Sequence, residues 1–158
     1  MTSYDRYTEW KSWEPDNFGC CPIESALYFQ SEMEIAGFSK FCGMHVLEIG
    51  YDNSQYATWV ISEGARWTGT KGISELVKVA RARQWDAHAA DVDLTQLAGD
   101  HVFDLAVAFD VFEHLGPQTM ADLLAMLRKV LVPGGRVLGR VPSGDSPFSR
   151  AIQHGDLT

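Results

Sequence analysis

Long apolar runs are absent from this chain of 158 residues, and their absence excludes the simplest kind of membrane attachment. No segment approaches the ~18 consecutive apolar residues of a transmembrane helix. The first twenty residues are polar and aromatic, whereas a secretory signal has a basic segment followed by an apolar one. We therefore predict a cytoplasmic protein without a membrane partner.

Cysteine is also scarce, with three residues in the chain: Cys20, Cys21 and Cys42. Adjacent cysteines cannot easily form an unstrained disulfide with each other, and the odd number favours reduced thiols. The five histidines are separated from the cysteines in sequence, and no CxxC or HxxxH spacing is present. The sequence thus predicts free thiols and no metal site.

Basic residues are few, since 13 lysines and arginines stand against 21 aspartates and glutamates, giving a formal net charge of -8. Such a charge repels the phosphate backbone of nucleic acids. A short basic group, Lys78, Arg81 and Arg83, falls on one predicted helix. A nucleic-acid partner is therefore not expected.

The length and the 46% apolar content fit one globular domain. Residues 1–21 are too aromatic for a plain disordered tail. We predict that they form a cap or lid, and that residues 22–158 form the domain. The aromatic side chains of the predicted cap are Tyr4, Tyr7, Trp10, Trp13 and Phe18.

Short apolar runs alternate with helical periods from His45 onward, which is typical of a parallel sheet with helices on both faces. We predict an α/β fold with five strands, at residues 46–49, 66–70, 87–90, 103–109 and 136–141. The predicted helices span residues 22–37, 55–62, 74–83 and 119–131, and residues 133–135 form a turn. One apolar stripe is predicted on the last helix, formed by Met120, Leu123, Leu124, Leu127 and Leu131.

Four segments agree in order and spacing with a known family: VLEIG at residues 46–50, Asp91, FDLAVAFDVFEHL at residues 103–115 and LRKVLVPGGRVLGRVP at residues 127–142. Together they resemble class I S-adenosylmethionine-dependent methyltransferases. The flanking segments GDSPF and QHGDLT are similar to those of small-molecule and glycan methyltransferases in that superfamily. The resemblance implies a Rossmann-like sheet that lacks the last two of the family's seven strands.

The resemblance also implies S-adenosylmethionine as the cofactor and a small molecule or sugar as the methyl acceptor. Glu48 would orient the turn after the first strand, and Asp91 would accept a hydrogen bond from the adenine amino group. The full set of predicted cofactor-binding residues is Glu48, Gly50, Tyr51, Asp52, Asn53, Lys71, Asp91, Val92, Phe109 and Asp110.

Three residues depart from the family pattern. The first turn keeps Gly50, but Asp52 and Ser54 replace the second and third family glycines. A carboxylate ~4 Å from the cofactor's own carboxylate would cost on the order of 4 kcal/mol at an intermediate dielectric. Lys71 occupies the position of the acid that accepts hydrogen bonds from the ribose, and lysine has no acceptor. These changes favour an alternative function, a non-catalytic methyltransferase-like scaffold for assembly or regulation.

The same side chains also fit purely structural roles. Glu48 fits a solvated strand end, and Asp91 fits an ordinary turn residue. Two pairs of side chains fit helix caps, namely Asp52 with Ser54 and Asp110 with Glu113. These alternatives remain open at the level of the sequence.

No catalytic residue is identified, because methyl transfer to a nucleophilic oxygen or nitrogen needs mainly alignment. Glu113 and His114 resemble an acid–base pair, but consecutive helical residues do not face each other. His154 and Asp156 are candidates for the acceptor side, with a polar tail as the alternative. Lys71 also leaves open a phosphorylated ligand of the NADP type, although no GxGxxG spacing follows the first strand.

The chain ends before the sixth and seventh strands of the family's sheet, as expected of either a fragment or a shortened protein. The fifth strand, with Val137 and Leu138, would then have an open edge. We expect this edge to be covered by a partner chain, such as a second copy in a homodimer, or by the chain's own terminal segments, or else to cause aggregation.

Overall fold

The structure is a computed structural model, and it describes residues 15–98 and 102–143 and the single positions 5 and 9. Within these residues, strands and helices alternate along the chain. The strands are β1 (His45–Ile49), β2 (Arg66–Lys71), β3 (Asp86–Ala89), β4 (Phe103–Phe109) and β5 (Leu131–Arg140). The α-helices are α1 (Ile23–Ile35), α2 (Gln55–Ser62), α3 (Ser74–Ala82), α4 (Leu94–Ala98) and α5 (Pro117–Val130). Short 3-10 helices span Pro15–Asn17 and Phe112–His114.

The five strands form one parallel sheet in the order β3-β2-β1-β4-β5. In the central strand β1, Leu47 lies opposite Thr68 of β2 and Ala106 of β4. The strand order reverses direction between β1 and β4, and this is the switch point at which such sheets bind ligands. The predicted Rossmann-like sheet of five parallel strands is confirmed.

Helices cover both faces of the sheet, as predicted. Consecutive strand residues point to opposite faces, so neighbours in β1 enter different cores. Val46 belongs to the core formed with α1, α2 and α3, whereas Leu47 belongs to the core formed with α4 and α5. Fully buried side chains from the helices complete these cores, among them Met33, Val60, Leu76, Leu94 and Leu127.

The junction between α5 and β5 differs from the prediction. Helix α5 begins at Pro117, a residue suited to the first helical turn, and ends at Val130. Strand β5 begins at the next residue, Leu131. In the pairing of β4 with β5, Phe103 lies opposite Leu131, but Leu105, two residues later, lies opposite Arg136. The register between the two strands therefore shifts between Phe103 and Leu105. The predicted turn at residues 133–135 is therefore an irregular part of the strand, because its additional residues are accommodated within the ladder.

The predicted apolar stripe on α5 is also partly wrong. Leu127 is buried, but Leu124 is 45% exposed, and Leu131 belongs to β5. The prediction omitted α4 altogether, because a helix of five residues shows too little periodicity. Its start is nevertheless marked by Asp93, whose Oδ1 accepts hydrogen bonds from the backbone N and the Oγ1 of Thr95 at 2.9 and 2.6 Å.

The described end of the predicted cap packs against the domain. Phe18 is buried beside Trp85, with 5.8 Å between ring centroids, and Arg83 lies over its ring. Gly19 donates a backbone hydrogen bond of 2.6 Å to the carbonyl of Asn53, in the turn after β1. The side chains of Tyr4, Tyr7, Trp10 and Trp13 lie outside the described residues, so a lid over the domain stays a prediction.

Membrane-spanning helices, metal-binding groups and the state of the cysteines were all considered in the sequence, and the structure describes each of them within its described residues. In the ranges 15–98 and 102–143, no helix combines the length and apolar character needed to cross a membrane. The same residues contain no group of three or more histidine, cysteine or acidic side chains placed to hold a metal ion. Cys20, Cys21 and Cys42 are free.

Strand β5 lies at one end of the described sheet, with β4 as its neighbour. Val137 on this strand is 40% exposed.

Gly69 in β2 creates the space for a large aromatic side chain. The ring of Trp67 lies where a side chain at position 69 would be, since a Cβ there would come within 2.2 Å of it. Trp67 makes edge contacts with Tyr51 and Trp85, at centroid distances of 5.4 and 5.8 Å. The missing side chain of Gly69 therefore fixes the position of the indole.

We expect Gly69→Ala to lower the free energy of unfolding by about 2–3 kcal/mol, because the new methyl group overlaps the buried indole. Gly72→Ala is the matched control, since a Cβ at that position meets nothing within 4 Å. Its unfolding free energy should stay within about 0.5 kcal/mol of the parent value. Urea unfolding of the two variants measures the difference, and equal stabilities would contradict this account of Gly69.

Candidate functional site

A cavity of about 1680 Å³ opens at the carboxyl ends of the strands, at the switch point between β1 and β4. Residues that follow β1, β2, β3 and β4 line it, and faces of α1 and α5 complete its walls. Open α/β sheets bind their ligands at this place. The position and the size of the cavity make it the candidate ligand site.

Nine of the ten predicted cofactor-binding residues line this cavity. Tyr51 does not, because its side chain is buried against Trp67 and its hydroxyl finds no hydrogen-bond partner among the described residues. The nine are Glu48, Gly50, Asp52, Asn53, Lys71, Asp91, Val92, Phe109 and Asp110. Their part in binding a cofactor stays a prediction.

The turn between β1 and α2, residues 50–54, keeps a backbone suited to glycine at two positions. Gly50 has a φ of 71°, and a Cβ there would lie 2.7 Å from Val111. Ser54 has a φ of 63°, in the left-handed region, whereas Asp52 does not have a positive φ. The side chain of Ser54 makes no capping hydrogen bond to α2, so the interpretation of this residue as a side-chain cap is wrong.

Glu48 is a buried acid at the end of β1, with 4% of its surface exposed. Trp67 Nε1 donates a hydrogen bond of 2.8 Å to its Oε2. Burial raises the pKa of Glu48 to about 8, although the Trp67 hydrogen bond and the charge of Lys71 act in the opposite direction. The interpretation of Glu48 as a solvated strand end is therefore wrong, and its carboxyl is mainly protonated at neutral pH.

The ends of β2 and β3 contribute the next wall. Lys71 is the last residue of β2 and is half-buried, and the carbonyl of Thr70 before it accepts a 2.8 Å hydrogen bond from the Gly50 backbone. Asp91 is exposed in the turn after β3, and Val92 beside it is half-buried. An exposed carboxylate at this place can accept a hydrogen bond from a ligand.

Asp110 and Arg140 form an ion pair between the ends of β4 and β5. Asp110 has a φ of 53°, and its Oδ1 accepts a hydrogen bond of 3.1 Å from Arg140 Nε. Arg140 Nη1 also donates to the hydroxyl of Tyr28 in α1, and the guanidinium lies 5.3 Å from the ring of Phe109. Asp110 is therefore paired with a residue of the neighbouring strand. The alternative interpretation of Asp110 as a helix cap is wrong.

The sequence prediction omitted Tyr28 and Arg140, although both line the cavity. A signal for Arg140 existed, because parallel pairing of the last two strands places it opposite Phe109, directly beside Asp110. Tyr28 gave no such signal, since only the packing of α1 brings it to the site. Residues of α5 such as Met126 and Lys129 were omitted for the same reason.

Acidic side chains dominate the cavity. Glu113 and His114 also line it, and Glu113 Oε2 has no hydrogen-bond partner among the described residues. His154 and Asp156 lie outside the described residues. Three basic side chains line the cavity, Lys71, Lys129 and Arg140, against eight acids, which are Glu24, Glu48, Asp52, Asp91, Asp93, Asp110, Glu113 and Asp122.

Comparison with protein families gives one match: a family described as a methyltransferase domain matches residues 47–139, which is more than half of the chain. The matched segment contains the last three residues of β1, all of β2, β3 and β4, and most of β5, with all ten predicted cofactor-binding residues. No curated protein matches the sequence significantly.

Solved structures of low sequence identity share the fold. An S-adenosylmethionine-dependent methyltransferase from Archaeoglobus fulgidus aligns with a TM-score of 0.71 at 17% identity, over 98% of this chain and 65% of that one. One from Mesorhizobium loti aligns with a TM-score of 0.55 at 20% identity, over 70% and 51%. The 1,6-didemethyltoxoflavin-N1-methyltransferase of Burkholderia thailandensis, with bound S-adenosylhomocysteine, aligns with a TM-score of 0.54 at 18% identity, over 85% and 55%. This chain thus spans between half and two thirds of the length of these structures.

The raised pKa of Glu48 predicts a pH-dependent stability. Between the ordinary glutamate pKa of 4.5 and about 8, the folded chain keeps a proton that the unfolded chain releases. The contribution of Glu48 to the free energy of unfolding therefore falls as pH rises through this window. We expect Glu48→Gln to match the parent near pH 5 and to exceed its unfolding free energy by ~3–5 kcal/mol at pH 9.

Denaturant unfolding at a series of pH values measures this difference. Glu63→Gln is the matched control, because Glu63 is exposed at the end of α2 and its replacement should leave the pH profile unchanged. Parallel stability profiles for Glu48→Gln and the parent would show that Glu48 is ionised at neutral pH in the folded chain.

Proposed function

This chain belongs to the class I S-adenosylmethionine-dependent methyltransferase superfamily, and from this premise we propose that it binds S-adenosylmethionine in the cavity at the switch point and methylates a small molecule or sugar. The observation that carries the proposal is the placement of nine predicted cofactor-binding residues around one cavity. The bound S-adenosylhomocysteine of the Burkholderia thailandensis enzyme, which shares the fold, supports the same ligand class.

The backbone of the first turn supports the proposal. Gly50 has a left-handed φ, and its lack of a side chain leaves room for Val111, so the turn packs closely against the residue that follows Asp110 at the wall of the cavity. Asp91 presents an exposed carboxylate at the end of β3, where we propose that it accepts a hydrogen bond from the adenine amino group. These features fit a nucleoside with an amino-acid end.

The charge of the cavity also fits this cofactor. Seven acidic side chains besides the mainly protonated Glu48 line the cavity against three basic ones, and this excess of negative charge favours a cationic sulfonium. The same charge disfavours a phosphorylated nucleotide of the NADP type, which Lys71 alone suggested. The cavity therefore supports S-adenosylmethionine over the phosphorylated alternative.

The size of the cavity leaves room for a methyl acceptor. Its volume of about 1680 Å³ exceeds the ~300–1,000 Å³ of an ordinary ligand pocket. We propose that the acceptor lies near Tyr28, Asp110 and Arg140, because these residues line the part of the cavity between α1 and the ends of β4 and β5. Hydroxyl, carboxylate and guanidinium groups there provide both donors and acceptors for a small polar molecule.

The bound cofactor would supply an electrophilic methyl group, so the protein's main task is to align the acceptor. The contacts among Asp110, Arg140 and Tyr28 link the ends of β4 and β5 to α1, and we propose that this wall of the cavity orients the acceptor. Glu113 and His114 line the same cavity. Either side chain could accept a proton from an acceptor that loses one during methylation. No residue is assigned as catalytic.

Asp52 and Lys71 are the observations that favour the alternative, a non-catalytic scaffold. Asp52 is an exposed acid within the turn between β1 and α2, and Lys71 offers no acceptor to a ribose. The two proposals differ in one measurable property, which is the affinity for the cofactor.

Calorimetric titration of the chain with S-adenosylmethionine, S-adenosylhomocysteine and NADPH separates these proposals. We expect dissociation constants in the micromolar range for the first two ligands and no heat with NADPH. No heat from a folded sample at millimolar S-adenosylmethionine would favour the scaffold. Heat with NADPH alone would favour the phosphorylated ligand.

The mass of the same sample in size-exclusion chromatography tests a second proposal, that another chain covers the edge of β5. The exposed Val137 on that strand supports it. A dimer mass is expected for a second copy of this chain, and a monomer mass would contradict the homodimer.

Asp52→Asn should tighten the binding of S-adenosylhomocysteine about fivefold, because it removes a negative charge beside the carboxylate of the ligand. The effect is smaller than an intermediate dielectric implies, since Asp52 is exposed and solvent screens its charge. Asp16→Asn is the matched control, since Asp16 is exposed and does not line the cavity. Unchanged or weaker binding by Asp52→Asn would contradict repulsion by this residue.

A further inference from the structure

The segment before α1 is tied to the turn that follows β1. We call residues 15–20 the N-terminal strap. In this strap, the Gly19 backbone N–H donates a 2.6 Å hydrogen bond to the carbonyl of Asn53. The Gly19 carbonyl accepts a 2.7 Å hydrogen bond from Thr58 Oγ1 in α2. Both backbone groups of Gly19 therefore hold the strap on the turn and on the helix that follows it.

The strap fits this place because residue 19 has no side chain. Gly19 has a φ of 70°, in the left-handed region that glycine adopts readily. A Cβ there would lie 2.7 Å from Arg83 Nη1 and 2.8 Å from Trp85 Cη2. The guanidinium is flexible, but the indole is rigid, so a methyl group at position 19 would move the strap away from the domain.

Phe18 gives the strap a second point of attachment. Its side chain is 1% exposed, and its ring lies 5.8 Å from that of Trp85, with the Arg83 guanidinium 5.1 Å above it. Trp85 makes an edge contact with Trp67, whose Nε1 donates the 2.8 Å hydrogen bond to Glu48. The strap therefore also packs against the aromatic layer that supports the buried acid of the cavity.

The described strap residues do not line the cavity, but the residues at the ends of both contacts, Asn53 and Glu48, do. The turn between β1 and α2 is held at its start by the hydrogen bond of 2.8 Å from the Gly50 N–H to the Thr70 carbonyl. At Asn53 it is held by the strap. Release of the strap would thus free one end of a wall of the cavity.

We propose that the N-terminal strap is a latch for the cofactor site: the docked strap holds the turn after β1 in its binding conformation, and a bound cofactor stabilises the docked strap. This inference rests on the proposed function, because it takes S-adenosylmethionine as the ligand of the cavity. Phe18 and Gly19 are positioning residues, since they act through Trp85 and Asn53. The coupling between strap and ligand must have the same size in both directions.

Calorimetric titration with S-adenosylhomocysteine measures the first direction. Gly19→Ala should weaken binding about fivefold or more, because the fraction of chains with a docked strap falls. Gly43→Ala is the matched control, since Gly43 has a φ of 83° and a Cβ there meets nothing within 4 Å. It introduces a similar backbone strain without displacing the strap, and its binding should stay within about twofold of the parent.

Thr58→Val is a milder variant of the same kind. It removes the hydroxyl that donates to the Gly19 carbonyl, keeps the shape of the side chain, and changes no residue that lines the cavity. The affinity for S-adenosylhomocysteine should fall by about two- to threefold, because one hydrogen bond to the strap is lost.

Hydrogen exchange of the unmodified chain measures the reverse direction. The Gly19 amide donates to Asn53 only while the strap is docked. Saturation with S-adenosylhomocysteine should therefore slow its exchange by about the factor lost in Gly19→Ala, fivefold or more. The Gly43 amide, which donates to the Gly64 carbonyl at 3.0 Å, is the control and should change less than about twofold.

The possible results are distinct. If the parent chain binds no S-adenosylhomocysteine, the proposed function fails, and the latch fails with it. If the parent binds this ligand and the exchange of the Gly19 amide does not change, only the latch is wrong. Equal losses of affinity in Gly19→Ala and Gly43→Ala would also overturn it, because backbone strain would explain both. Should Gly19→Ala fail to fold, Thr58→Val and the exchange measurement decide.

Discussion

The pairing of β1 with β2 on one side and β4 on the other is the constraint on which the site depends. Parallel neighbours end at the same edge of the sheet, so this pairing brings Glu48, Lys71 and Asp110 to one cavity although they are distant in sequence. A shift of β1 by one residue would exchange Val46 and Leu47 between the two cores. Both cores therefore fix the register, and the register fixes the site.

The central acid of the site depends on the aromatic packing beneath it. Gly69 leaves room for Trp67, and the indole in turn donates to Glu48, so a glycine on one strand determines the environment of a carboxyl on its neighbour. Burial keeps this carboxyl mainly protonated at neutral pH, while Lys71 opposes that effect. Lys71 thus supplies positive charge near Glu48, and under the proposed function it would also offer no acceptor to the ribose of the cofactor.

The five strands and both helical layers could be predicted from the sequence, because alternation and burial follow directly from the positions of apolar residues such as Val46, Leu47 and Leu105. Positions at strand ends were also predictable, because the carboxyl ends of parallel strands meet at one edge of the sheet. Asp91 and Asp110 follow such strand ends, and both line the cavity. Side-chain direction within the first turn was not, and Tyr51 turns into the core against Trp67. The position of Tyr28 could not be predicted either, because its place beside Arg140 depends on how α1 packs on the sheet.

The two lost glycines of the first turn are not equivalent. Asp52 lies outside the left-handed region, so its side chain costs no backbone strain, and its effect on a ligand is electrostatic. Ser54 has a left-handed backbone, so this serine carries the conformational cost of a position that glycine adopts readily. A motif judged by its glycines alone therefore suggests a damaged site, whereas the backbone of the turn has preserved the glycine conformation at Gly50 and Ser54. The replacement of glycine therefore acts through charge at Asp52 and through backbone conformation at Ser54.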